Sequence, residues 1–275
     1  MSLLSELIAH LETAPAVLVD VVAVQGSVPR EPGAWMAVTA AGQIGTVGGG
    51  HLEWQACERA RALLAGGVRA SEQQTVVLGP SLGQCCGGQV TLRYQLVDQT
   101  DRDALNQRLR AGHTPVALFG GGHVGRAIVA ALTPLPFDIH WIDSRDEVFP
   151  ADLPPQVLAE HSDPVHRAVA DLRAGAQVLI MSFSHAEDLD VVAACLQRQR
   201  ERGDLPFVGL IGSRTKWATF RHRLEARGFT PGELSHITCP IGLPGIVGKA
   251  PEVIAASVAA QLLLRLSPAG DGTVA

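Results

Sequence analysis

The sequence predicts an α/β protein: a smaller α+β domain over residues 1–100, then a doubly wound domain with a parallel sheet over residues 114–275. Three observations carry this. From Pro115 onward, short apolar runs alternate with helical patterns, as parallel βαβ units require. Before Pro115, hairpin spacing and the strict alternation of Val90, Leu92, Tyr94 and Leu96 suit half-buried antiparallel strands. A length of 275 residues accommodates one large or two ordinary domains, with enough buried surface to need no disulfide or metal staple.

Leu3, Leu4, Leu7, Ile8 and Leu11 recur at helical spacing, and Pro15 stops the pattern. Residues 16–24 form an apolar run short enough for a buried strand. Residues 25–33 contain Pro29, Pro32, Gly26 and Gly33 and read as a fixed loop. Residues 35–38 and 43–47 form a hairpin around Ala41-Gly42. A helix over residues 52–64 ends at Gly66-Gly67, and strands follow at 74–78 and 89–97. The charged helical segment 98–112 is read as the connector. Beyond it come strands at 116–119, 137–143, 177–181 and 207–211, with helices at 123–132, 188–200 and 216–227. The last helix opens at Pro251, where a missing N–H costs nothing. Its polar stripe of Ser257, Gln261 and Arg265 is narrow, so most of its circumference is expected to be buried.

Composition narrows the function. The chain is 47% hydrophobic and 18% charged, the balance of a globular protein. A net charge of −5 without a basic block argues against nucleic-acid binding. Five cysteines without framework spacing suit reduced thiols in the cytoplasm. No stretch reads as a signal peptide or a membrane span.

Gly120-Gly121-Gly122-His123-Val124-Gly125 fits G-x-G-x-x-G between a strand and a helix, and Asp143 ends the next strand. In a Rossmann-like domain Gly120, Gly122 and Gly125 would allow the tight turn, the pyrophosphate approach and close helix packing, and Asp143 would meet a ribose hydroxyl. Either a nucleotide binds there or the glycines serve packing alone. Gly83-Gln84-Cys85-Cys86-Gly87-Gly88 is a second signal. Adjacent extended cysteines point to opposite sides, so one thiol can face a ligand while the other packs inward. Zinc sites prefer spaced pairs. Two small buried hydrophobes in a turn are the structural alternative.

Gly48, Gly49 and Gly50 precede a helix and offer amides to an anion, with Arg30 on the rigid loop as a possible partner. A tight turn plus a surface arginine would account for them equally, and Glu53 could satisfy the helix dipole without a ligand. Ser213, Arg214 and Lys216 follow a strand at the sheet's carboxyl edge, where open α/β folds bind ligands. Ser184 and Glu187 have capping-box spacing, which explains them without catalysis by His185.

Taken together, Pro29-Arg30-Glu31-Pro32-Gly33, Gly48-Gly49-Gly50-His51-Leu52-Glu53 and Leu82-Gly83-Gln84-Cys85-Cys86-Gly87-Gly88 resemble the XdhC/CoxI family. The likeness continues through residues 120–125, Asp143-Ser144-Arg145, residues 209–216 and Cys239-Pro240-Ile241-Gly242, and so covers nearly the whole chain in order. The resemblance implies an accessory protein rather than an enzyme. It would hold molybdenum cofactor (molybdopterin) transiently during sulfuration and insert it into apo xanthine dehydrogenase. A cysteine desulfurase and a second copy of the chain are the other implied partners. The family's cofactor-binding cysteine maps to this pair, with Cys85 as the molybdenum contact and Cys86 as the alternative that spacing does not separate from it. Relatives often carry histidine where this chain has Phe183. The competing reading is an NAD(P)-dependent oxidoreductase using the glycine turn and Asp143. A third is a scaffold that recruits desulfurase and apo-enzyme without holding cofactor.

Overall fold

The structure is a computed structural model that describes residues 3–79 and 87–266. The chain divides into two compact units, Met1–Ala111 and Gly112–Ala275.

The first unit contains helix α1 (Leu3–His10), strands β1 (Ala16–Gln25), β2 (Trp35–Val38) and β3 (Gln43–Gly45), and helix α2 (Gly50–Gly66). Strands β4 (Ser71–Val77) and β5 (Gln89–Val97) and helix α3 (Arg102–Arg110) complete it. Its antiparallel sheet has the order β3-β2-β1-β5-β4. Val17, Val19 and Val21 of β1 meet Leu52, Ala56 and Ala60 of α2 on one face. Ala16 and Leu18 meet Leu7 and Leu11 on the other. Both faces are covered along the first part of β1, which is why its sequence is apolar without alternation except at Asp20, whose buried charge is paired with Arg93. The 98–112 segment is more than a connector. Leu105 of α3 is buried with Leu7, Leu11 and Val97, so the helix belongs to this unit's core. Gly67 ends α2 in a left-handed conformation, its amide bonded to the Leu63 carbonyl.

The second unit is a Rossmann-type α/β domain, with strands β6 (Thr114–Phe119), β7 (Phe137–Asp143), β8 (Val157–His161), β9 (Gln177–Ile180), β10 (Phe207–Leu210) and β11 (Ile237–Thr238). All are parallel, in the order β11-β10-β9-β6-β7-β8. Helices α4 (His123–Leu132) and α8 (Pro251–Leu266) cover one face. Helices α5 (His185–Arg202) and α6 (Arg214–Ala226) cover the other, and α7 (Pro231–Leu234) is a single turn before β11. Short edge strands β8 and β11 lacked a long apolar run and were not anticipated.

Two of the three residues in the polar stripe of α8 turn inward, and the exposed Arg265 folds onto a backbone carbonyl. Ser257 is buried and accepts from the Leu243 amide at 2.8 Å, Gln261 accepts from the Gly242 amide at 2.8 Å, and Arg265 donates to the Pro206 carbonyl. The stripe secures the loop after β11, while Glu252, Ala256 and Leu264 are exposed.

Arg198, 5% exposed, ties α5 to the preceding chain. It donates to the carbonyls of Val169, Ala170 and Leu172 and forks onto Asp204 at 2.9 and 2.8 Å. Arg198→Ala should lower the unfolding free energy by about 3 kcal/mol in urea titrations, because the buried carbonyls lose their donors. A loss under about 1 kcal/mol would show that water replaces the guanidinium.

Candidate functional site

Three of the sequence motifs meet within the first unit. The loop after β1 is pinned by Gly33 N–H to Val21 O at 2.9 Å and Val21 N–H to Ala34 O at 2.8 Å. Its start lies against the end of the cysteine turn: a Cβ on Gly88 would fall 2.3 Å from the Ser27 carbonyl oxygen and 2.6 Å from that of Gln25. Leu78 N–H also bonds to the Gly88 carbonyl at 2.8 Å, closing the ladder below the turn. Further along the same loop, Pro29 and Arg30 rest on Gly48, where a Cβ would sit 2.6 Å from Pro29 Cγ and 3.6 Å from Arg30 Cγ. Gly48 has φ +129°, a conformation that favours glycine in its own right. Cys85 and Cys86 lie outside the described residues, but the chain on both sides of their turn is placed.

Gly48, Gly49 and Gly50 all have positive φ, yet the turn does not stand open to an anion. Glu53, one turn into α2, folds back onto it. Its Oε2 accepts from the Val47 and Gly49 amides, both at 3.1 Å, and from the Thr46 hydroxyl, and its Oε1 accepts from Gln43 at 2.8 Å. Burial opposes the charge, but the bonds from Thr46, Gln43, Gly49 and Val47 outweigh it and hold the carboxyl below the usual range. The anion-site expectation for residues 48–50 is therefore corrected: an internal carboxylate occupies that position. Arg30 is half-buried and makes no hydrogen bond or ion pair with a described residue.

The described thiols are poorly suited to bind a metal. Cys57 is buried, donates to Gln43 Oε1 at 3.1 Å and is pushed up by burial. Cys195 is buried and pushed up to about 12, and burial also raises Cys239 against the pull of Lys216. Among the described residues no group of three or more His, Cys, Asp or Glu side chains is placed to hold a metal ion. No described helix is long and apolar enough to cross a membrane.

In the second unit the glycine turn falls between β6 and α4 as expected, but its glycines are largely packed. A Cβ on Gly120 would fall 2.1 Å from Met181 O, and one on Gly125 2.0 Å from Gly120 O. Gly122 alone of the three has open space. Asp143 is 1% exposed and bonds within the protein. Its oxygens accept from Gly121 N at 2.5 Å and from Arg145 N, Nε and Nη2 at 2.9 Å. Burial works against its charge, but these donors hold the carboxyl below the usual range. Where a ribose hydroxyl was expected, the Asp143 carboxylate is thus already engaged by Gly121 and Arg145. Arg145 was readable in principle, since a residue two past a strand-end acid projects to the same side.

The carboxyl-edge residues also have structural work. Ser213 caps α6 through Lys216 N. Lys216 Nζ donates to Asp188 Oδ2 at 2.6 Å and to the Ile211 carbonyl at 2.8 Å, so it is no free cation; Arg214 is exposed. Ser184 and Glu187 form the expected capping box, and His185 sits edge-on to Phe220.

Residues 10–76 match the model of the XdhC and CoxI family, and residues 116–262 match the XdhC Rossmann domain. The chain belongs to the XdhC/CoxI family. Over 256 residues this XdhC-type chain is 27% identical to the uncharacterized protein YqeB of Escherichia coli (strain K12). The match covers 92% of the chain but 44% of YqeB, so the chain spans less than half the length of that relative. A solved structure from Bacillus halodurans, described as a xanthine dehydrogenase, has the same fold, with a TM-score of 0.68 at 20% identity over 97% of this chain and 96% of that one.

The glycine turn at α2 is stabilised by a charged Glu53. With its carboxyl held below the ordinary value of 4.5, its contribution is present above that pH and fades as pH falls through the lower folded value. The melting-temperature difference between wild type and Glu53→Gln should be largest near neutrality and shrink below about pH 4.5. A difference that stays constant across the titration would place the stabilisation elsewhere.

Proposed function

We propose that this XdhC/CoxI chain is accessory to a xanthine dehydrogenase: it carries molybdenum cofactor as cargo while the cofactor is sulfurated, then delivers it to the apo-enzyme. Family membership supports the accessory role. The observation that supports the cargo reading is the meeting of three motifs in the first unit, where Gly88, at the end of the cysteine motif, lies against the loop that bears Arg30, which has no partner among the described residues.

The chemistry of these groups suits such a cargo. Molybdopterin presents a soft metal dithiolene at one end and a phosphate at the other. A thiolate of Cys85, or of Cys86 beside it, is a soft partner for the metal. Arg30 supplies a planar, permanent cation that can fork onto phosphate oxygens. Glu53 keeps the adjoining glycine turn folded, and its negative charge disfavours a phosphate at that turn, which supports Arg30 as the phosphate's partner. The raised or buried thiols of Cys57, Cys195 and Cys239 leave the turn as the better candidate among the chain's five cysteines. The apo-enzyme, a cysteine desulfurase and a second copy of the chain are the proposed partners.

A nicotinamide oxidoreductase draws no support from the second unit, where Asp143 is already engaged by Gly121 and Arg145. The decisive comparison uses the full chain purified from cells that make the cofactor, with the extracted pterin quantified by fluorescence. Wild type should carry pterin, and the Cys85→Ala/Cys86→Ala variant less than about a tenth as much, with an unchanged melting temperature. Full loading of the folded double variant would overturn the thiol-held cargo.

A further inference from the structure

The strand order of the second unit creates a crevice. From β6 the chain moves to β7 on one side, and after β8 it returns to β9 on the other, so the loops after β6 and β9 diverge at a topological switch point. Open α/β sheets bind ligands in such a crevice, outside the carboxyl ends of the strands. An acid ending β7 would take the ribose of a dinucleotide. The base would then extend between the loops that follow β7 and β9.

In this molecule those loops grip each other. Arg145, after β7, is fixed by its fork onto Asp143, which accepts in turn from the Gly121 amide. The Phe183 ring, after β9, lies on that guanidinium, with Arg145 Cζ 4.4 Å from the ring centroid. Ser144 reaches across to Glu187 Oε1 at 2.7 Å, joining the β7 loop to the first turn of α5. Val148 presses on the glycine turn, since a Cβ on Gly121 would fall 2.4 Å from Val148 Cγ2. Arg126 ties the same segment down by donating to the Val148 carbonyl at 2.7 Å.

We propose that Phe183 closes this crevice by taking the place of a nucleotide base. A flat aromatic ring on a guanidinium face is the contact an adenine would make there, and cation–π attraction holds it. Phe183 is 66% exposed, far more than ordinary packing of a phenylalanine gives, and its ring contact is the Arg145 guanidinium. The second unit thus excludes adenine dinucleotides through its own side chains, although it has the glycine turn and the strand-end acid associated with binding them.

The test is calorimetric titration of the full chain with NADH, comparing wild type and Phe183→Ala. Because Phe183 is mostly exposed, its truncation should leave the fold intact, which circular dichroism checks. Wild type should give no saturable binding up to millimolar NADH, and Phe183→Ala should bind at least about tenfold more tightly as the guanidinium face is freed. Phe183→Leu, which keeps bulk but loses the ring, should fall between them. Equal affinities in wild type and Phe183→Ala, or no binding to either, overturns the proposal. None of these outcomes depends on whether cofactor is held at Cys85 and Cys86.

Discussion

Close backbone approach at Gly88 governs the geometry of the first unit. A side chain there would collide with the carbonyl oxygens of Gln25 and Ser27, so only glycine lets the end of the cysteine turn lie on the loop after β1. The same loop then passes over Gly48, which lacks a side chain for the same steric reason. Two close approaches thus bring together segments that are far apart in sequence: Gly88 at the end of the cysteine motif, the loop bearing Arg30, and the glycines before α2. The sheet fixes the position of these loops, and the absence of Cβ atoms allows them to touch.

The second unit uses similar motifs to a different end. Its glycine turn has the spacing of a dinucleotide site, but Gly120 and Gly125 are required by contacts with Met181 and with the turn itself. Asp143 spends its hydrogen-bonding capacity on Gly121 and Arg145. Glu53 plays the corresponding part in the first unit, filling with its own carboxylate a turn whose amides would suit an anion. In both places a pattern associated with ligand binding is satisfied from within, because a buried amide needs an acceptor whether or not a ligand arrives.

Much of the fold was legible because burial imposes period. The helix at residues 123–132 and the strand at 137–143 were read to the residue, since glycines, a proline and apolar runs bound them. Edge strands β8 and β11 escaped because a short strand buried on one side needs no continuous apolar run. Helix α3 reads in sequence as a connector because its surface is dominated by arginine, although Leu105 anchors it. At the sites, sequence identified residue types but could not identify their partners. Nothing local announces that Lys216 pairs with Asp188, or that Ser257 turns inward to hold the Leu243 amide. Hydrogen bonds between residues distant in sequence are settled only when the elements pack.

The central claim is that a thiol of Cys85 or Cys86 holds the cargo's metal. Molybdenum X-ray absorption on the loaded full chain tests it most directly. With the unsulfurated cofactor bound, the account predicts a sulfur neighbour of the metal beyond those of the dithiolene in the wild-type protein, absent from whatever cofactor remains bound when both turn cysteines are replaced by serine. An identical molybdenum–sulfur shell in the two loaded proteins would contradict it.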